Sequence, residues 1–271
     1  MADWADENRM DNMLKARVLS AVIGIPLLLT ILYAGGFYWK ALFFVLGILA
    51  LKEFFDMMKN ASYTPLVLPA YALFLTLLFS HLYNACFLAV LFLILLFSVI
   101  YYVLKYPAVS ILDLSLSFLI AAYAGFLLNY AIRIADLTQA FTIILLVFIL
   151  TWSSDIGGYF VGKKWGKNKM APLLSPAKSW EGAGGSVLFS VLGCFIFFHT
   201  IAIENPGSAY LLLLAIISSV VAQFGDLFIS GAKRFFKVKD SGRLIPGHGG
   251  VLDRFDSFLL VLPLVYFFFS M

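Results

Sequence analysis

Gln223, Asp226, Ser230 and Lys233 follow one another at intervals of three, four and three. That spacing puts an amide, a carboxylate, a hydroxyl and an ammonium on one stripe of an α-helix. Asp253 and Asp256, three apart, share a face of a following helix, with Arg254 turned away by about a third of a turn. The 35 residues from Gln223 to Ser257 hold four acids (Asp226, Asp240, Asp253, Asp256) and six bases (Lys233, Arg234, Lys237, Lys239, Arg243, Arg254), in a chain only 13% charged. Three of the acids border long apolar runs, where an ionised carboxylate is costly unless paired or metal-bound. Carboxylates converging from two helices repel unless a cation separates them, and an all-oxygen donor set suits Mg²⁺. The alternative on the same residues is a set of helix-tying ion pairs, Asp226 with Lys233 or Asp256 with Arg254.

Between the two acid-bearing stripes lies Pro246-Gly247-His248-Gly249-Gly250. Glycines let a backbone approach a ligand closely, and the N-terminus of the next helix offers free N–H groups to phosphate. The plainer reading is a flexible connecting loop. His248 could be a base or a ligand, although a lone loop histidine is more often neither. Upstream, the run from Ser175 to Gly182 supplies hydroxyls, a cation, an aromatic ring and an acid. Asp155 is a carboxylate in an apolar segment, beside Gly157 and Gly158, which permit close helix approach. A helix-packing hydrogen bond would explain it equally well. The lysines at 163, 164, 167 and 169, with Trp165, fit either a segment held on anionic lipid or a solvated charge run. Local pairing with Lys52 and Lys59 accounts for Glu53 and Asp56, and Asp113 fits a helix N-terminal cap.

The elements that must position these residues are membrane helices. Of 271 residues 62% are hydrophobic, 28 are Phe, and the mean hydropathy is +0.97. Repeated apolar runs of about 17 residues or more indicate an all-α, polytopic integral membrane protein rather than a soluble core. Nine spans are predicted, at 18–33, 37–58, 65–80, 85–104, 111–128, 140–162, 183–203, 210–231 and 251–270, after a polar, interfacial or disordered segment at 1–13. The first is read as a retained helix, since no small-residue cleavage site follows it. With the N-terminus in the cytoplasm, fifteen of the nineteen basic residues fall on the inner face, and a miscount by one span would scatter them. The C-terminus is then outside, and both long basic loops, 163–182 and 232–250, face the cytosol. Residues 1–140 form an N-terminal membrane part of about five spans and 141–271 a C-terminal catalytic part of about four, with the active site at the cytoplasmic interface. Cys86 and Cys194 lie far apart in apolar surroundings, which excludes a disulfide framework or cysteine metal site. Basic residues confined to short loops argue against a nucleic-acid partner.

Taken together, Ser230-x-x-Lys233-Arg234, Lys239-Asp240-x-Gly242 and Pro246-x-His248-Gly249-Gly250-x-x-Asp253-Arg254-x-Asp256 resemble the signature of the phosphatidate cytidylyltransferases, the CDP-diacylglycerol synthases. Asp155 with Gly157, Tyr159 and Gly162, then Ser175-Pro176 and Lys178-Ser179-Trp180-Glu181-Gly182, then Gln223-x-Gly225-Asp226, agree with it. Ala177 departs from a lysine expected there, and Ser179 stands where threonine is common. The resemblance covers about residues 150–260, and the first five spans share only hydropathy. It implies transfer of a cytidylyl group from CTP to phosphatidate, with Mg²⁺ and room for a second cation, in a bacterial inner membrane. On this reading Asp226, Asp253 and Asp256 hold the metal and act with Lys233 in catalysis. Lys233, Arg234, Lys237 and Lys239, assisted by Gly249 and Gly250, bind triphosphate. Asp155, Ser175, Lys178, Ser179, Glu181, Ser230, Asp240, His248 and Arg254 complete the substrate-binding set. The oligomeric state stays open, a homodimer included. Two rivals remain: an ion-coupled transporter using Asp155, Asp226 and Asp253 as a cation path, and a CTP-dependent lipid kinase.

Overall fold

The computed structural model describes residues 2–82, 86–201 and 207–270. Nine α-helices are found among them: α1 (Ala2–Ala34), α2 (Gly36–Asn60), α3 (Val67–Leu78), α4 (Phe87–Lys105), α5 (Ile111–Ile134), α6 (Ala140–Trp165), α7 (Trp180–Thr200), α8 (Ser208–Phe235) and α9 (Leu252–Ser270). Each expected span meets one helix, although position 85 of the fourth and 202–203 of the seventh lie outside the described residues. Residues 2–13, expected to be interfacial or disordered, extend α1. Six helices are long and apolar enough to cross a membrane: the 17–34 part of α1, then α4, α5, α6, α7 and α8.

The other three depart from that standard for identifiable reasons. The third expected span is shorter than predicted, because Pro65 precedes the helix and only Val67–Leu78 is α-helical. Twelve residues rise about 18 Å, against a hydrocarbon core of about 30 Å. α3 is a short helix packed against α5. Phe74 is fully buried, its backbone packs on Gly125 of α5, and Asn129 of α5 donates to the Leu78 carbonyl at 2.6 Å. α2 and α9 carry charge inside their apolar runs: Lys52, Glu53 and Asp56 on one, Asp253, Arg254 and Asp256 on the other. Asp113 is the third residue of a capping box on α5 with Ser110 as its cap, and it also accepts the Thr64 N–H at 2.7 Å.

The expected loop at 163–182 is largely a β-hairpin. β1 (Lys169–Ala171) and β2 (Ser175–Ser179) pair antiparallel around a turn in which Leu174 N–H donates to the Ala171 carbonyl at 3.2 Å. Pro172 holds the second position of that turn, where its fixed φ is pre-set. β2 leads directly into α7, whose first turn is capped by the buried Ser179 hydroxyl accepting from Gly182 N–H at 3.1 Å. α7 then packs closely on α6. A Cβ on Gly157 would collide with the Gly185 carbonyl and Phe189, so this crossing needs the bare backbone. Aromatic packing joins the halves, with Phe258 of α9 against Phe148 at 4.6 Å and Phe43 at 6.2 Å.

Candidate active site

The stripe read from α8 exists. Ser230 Oγ donates to Asp226 Oδ1 at 3.1 Å, and Gln223, Asp226 and Lys233 all line one polar cavity of about 760 Å³. α9 reaches the same cavity with Asp253 and Asp256 because α8 yields at Gly225, where an added Cβ would strike the Asp256 carbonyl. That close approach sets Asp226 beside the turn of α9 bearing Asp256. Overpacking of this kind costs about 1–3 kcal/mol. Gly225→Ala is therefore expected to lower both the unfolding midpoint and the catalytic rate, checked by thermal unfolding in detergent alongside turnover; two unchanged values would contradict the packing.

The lysines pair with these acids, but in an arrangement neither sequence alternative contained. Lys178 from β2 reaches Asp226 Oδ2 at 2.6 Å, and Lys233 from α8 reaches Asp253 Oδ1 at 2.7 Å. Neither Asp226–Lys233 nor Asp256–Arg254 forms a pair among the described residues. The Lys233–Asp253 pair is nearly sealed, its side chains 13% and 7% exposed. Asp253 Oδ2 accepts from Ser241 N–H at 2.9 Å, from Ser241 Oγ at 3.0 Å and from Gly250 N–H at 3.0 Å. Asp253 is thus saturated by its own chain. Asp256, in contrast, accepts only from Ser257, and neither it nor Asp155 has an ion-pair partner among the described residues. Asp155, from α6, lines the same cavity. Over the whole cavity the lining balances, with Asp155, Asp226, Asp240, Asp253 and Asp256 against Lys163, Lys169, Lys178, Lys233 and Arg254. Among the described residues, no three His, Cys, Asp or Glu stand close enough to hold a metal as they are.

The remaining expected residues divide. Ser175, Ser179, Asp240 and Arg254 line the cavity. Glu181 does not: it accepts from the backbone N–H of Lys167 and Asn168 and from the Asn168 amide, closing the base of the hairpin. Arg234 ties α8 to the hairpin turn by donating to the Leu174 carbonyl at 3.3 Å. Lys237 is exposed in a left-handed turn after α8, with φ 57°, and Lys239 lines a separate cavity of about 690 Å³ beside α2. The phosphate cradle expected at the start of α9 is filled by the chain's own carboxylates. Gly250 N–H goes to Asp253, and Val251 and Leu252 N–H go to Glu53 at 2.8 and 3.0 Å. Gly249 adopts φ +85° directly under Asp253, where a side chain would press on its carboxylate.

Three residues of this construction were not anticipated. Glu53 bonds across to α9 rather than to its local lysines, although Lys52 and Asp56 do pair as expected, at 3.4 Å. From α1, Arg17 Nε donates to the Gly247 carbonyl at 2.8 Å, and Ser20 Oγ lies 2.7 Å from His248 Nδ1. Partial burial, with the Arg254 and Arg17 guanidiniums nearby, holds His248 below its ordinary pKa. A second, apolar groove of about 430 Å³ runs between α1, α6 and α9, past Leu28, Ile31, Phe148 and Trp152. Its floor is common with the polar cavity: Asp155, Asp253, Arg254, Asp256 and Ser257 border both.

The sequence profile of the cytidylyltransferase family matches residues 15–271. The chain belongs to the cytidylyltransferase family. Among its relatives, a phosphatidate cytidylyltransferase of Staphylococcus haemolyticus (strain JCSC1435) is 36% identical over 262 residues, covering 93% of this chain and 97% of its own. One of Staphylococcus aureus (strain COL) is 35% identical over 260 residues, with the same coverage. The phosphatidate cytidylyltransferase of Bacillus subtilis (strain 168) is 44% identical over 154 residues, 56% of this chain and 57% of its own. The likeness therefore extends well beyond 150–260, into helices that hydropathy alone could not assign. In a membrane cytidylyltransferase, a polar cavity opening onto an apolar groove suits one water-soluble and one lipid reactant.

Proposed function

We propose that this cytidylyltransferase moves the cytidylyl group of CTP onto phosphatidate, forming CDP-diacylglycerol and pyrophosphate, with Mg²⁺ as cofactor. The observation that carries the reading is the shared floor of the two cavities, where Asp155, Asp253, Arg254, Asp256 and Ser257 border polar and apolar space at once. CTP fits the polar side, the acyl chains fit the groove beside α1, and the lipid phosphate meets the nucleotide between them. One oxygen of that phosphate bonds to the α-phosphorus of CTP as the bond from the α-phosphorus to the oxygen bridging it to the β-phosphate breaks. The electron pair leaves with pyrophosphate. No protein base is needed, because the attacking phosphate is already ionised at neutral pH. Lys178, Lys233 and Arg254 offset the charge of the two anions as they approach.

The donor set fits a hard cation. Asp226 Oδ1 meets only a hydroxyl and Asp256 meets no lysine, so both offer oxygens to an ion, whereas Asp253 would first have to release Lys233. On that basis we assign the cation first to Asp226 and Asp256, with Asp253 joining them only once Lys233 is released. When bound, Mg²⁺ would supply charge neutralisation and in-line alignment of the two phosphates.

The basic loops support a cytoplasmic N-terminus, an external C-terminus and nine membrane segments, α3 among them, and the bacterial relatives support a bacterial cytoplasmic membrane. One assay tests activity and orientation together. Sealed inside-out vesicles given CTP, Mg²⁺ and phosphatidate should form CDP-diacylglycerol and pyrophosphate, and right-side-out vesicles should not. Absence of pyrophosphate from both would favour a transporter, and free CDP with a phosphorylated lipid would favour a kinase.

A further inference from the structure

Glu53 stands on α2, outside the segment that carries the site, and is only 7% exposed. All three of its side-chain bonds cross to the 241–252 segment. Oε1 accepts from Val251 N–H at 2.8 Å, and Oε2 accepts from Leu252 N–H and from Ser241 Oγ, each at 3.0 Å. Two unmet N–H groups at the start of α9 are thereby satisfied by a carboxylate from another helix. The fit is close. A Cβ on Gly242 would stand 2.7 Å from Glu53 Oε1, and one on Gly250 would collide with both Glu53 and Ser241.

The chain of contacts does not stop there. Ser241 Oγ also lies 3.0 Å from Asp253 Oδ2, and Ser241 N–H is bonded to the same oxygen. A hydroxyl carries one hydrogen, so Ser241 serves the two carboxylates as a shared donor and fixes their separation. Asp253 in turn holds Lys233 at 2.7 Å. Glu53, Ser241, Asp253 and Lys233 form one continuous path from α2 through the glycine-rich loop and α9 to α8.

We propose that Glu53 is a positioning residue for cytidylyl transfer. By anchoring the 241–252 segment to α2 it sets Asp253, and through Asp253 the Lys233 ammonium, without itself reaching the polar cavity. This role rests on that cavity being the site of transfer.

Glu53→Gln keeps an oxygen toward Val251 but presents an NH₂ to the Leu252 N–H. Supporting groups of this kind, when replaced, typically cost 10–100-fold. Full-length E53Q should show kcat lowered by about that factor while KM for phosphatidate stays within about twofold. Residue-resolved hydrogen exchange should quicken at Ser241 and Gly250, whose acceptor is Asp253 and not Glu53. A purely structural cap would lower the unfolding midpoint, leave kcat per folded molecule unchanged and keep those two amides slow; that result would overturn the proposal. Should E53Q fail to fold, Gly242→Ala decides, since its methyl displaces the same carboxylate and alters no polar group. Wild-type kcat in G242A would equally overturn the role. Wild-type protein is assayed alongside: if it forms no CDP-diacylglycerol, the transfer reading has failed, not the role of Glu53.

Discussion

Asp226→Asn and Asp256→Asn should each lower CDP-diacylglycerol formation by about 10²–10³-fold, the usual loss when one group stabilising transition-state charge is removed. The two replacements act differently. Asp226→Asn weakens the oxygen that holds Lys178 at 2.6 Å, so it releases a lysine as well as removing a site for the cation. Asp256→Asn disturbs no ion pair and should leave the unfolding midpoint unchanged or raised, because an isolated carboxylate at that depth is itself unfavourable. Raising the Mg²⁺ concentration should recover part of the lost rate if these acids hold the ion. Ala177→Lys is the control. Position 177 lines the cavity but carries no functional group, and its variant should far outperform both. Equal activity across the three would undo the assignment.

Asp253→Asn should be worse still, in stability as well as in rate. It leaves the Lys233 ammonium, only 13% exposed, beside a neutral amide, and breaking a buried pair from one side costs about 3–5 kcal/mol. The same change places an amide NH₂ or a weaker acceptor against the Ser241 and Gly250 N–H groups. Exchanging the partners separates the two roles. In Lys233→Asp combined with Asp253→Lys the opposite charges remain neighbours, so part of the lost stability should return. Turnover should not, because the ammonium would then stand on α9 and the carboxylate on α8. Thermal unfolding and pyrophosphate release, measured on both variants, check both halves. Recovery of turnover in the exchanged protein would mean that this pair serves the fold alone.

What could be read from residue order is what local periodicity encodes. The α8 stripe was legible because spacings of three and four determine a helical face whatever packs on it, and Asp113 because its cap partner is three residues away. Apolar run length located every helix. It overestimated the length of α3, whose start is set by Pro65. The hairpin was masked by its lysines, although Pro172 and Pro176 marked a turn and a strand position needing no donor. Partner choice was beyond reach. Lys178 competes successfully for Asp226 because the hairpin folds over the cavity, and nothing near residue 53 indicates that its carboxylate belongs to amides 198 and 199 residues away. The clamp of Arg17 and Ser20 on the glycine-rich loop was hidden in the same way, by tertiary contact between the first helix and the loop leading into the last.

The proposed cation lies between acids of α8 and α9, where the two cavities meet. Anomalous scattering from Mn²⁺ diffused into crystals with CTP tests it most directly. A peak is expected within coordination distance of Asp226 and Asp256, about 2.1 Å from their oxygens, and it should vanish in Asp226→Asn. A cavity without a peak, in which Asp226 and Asp253 remain held by Lys178 and Lys233 alone, would contradict it.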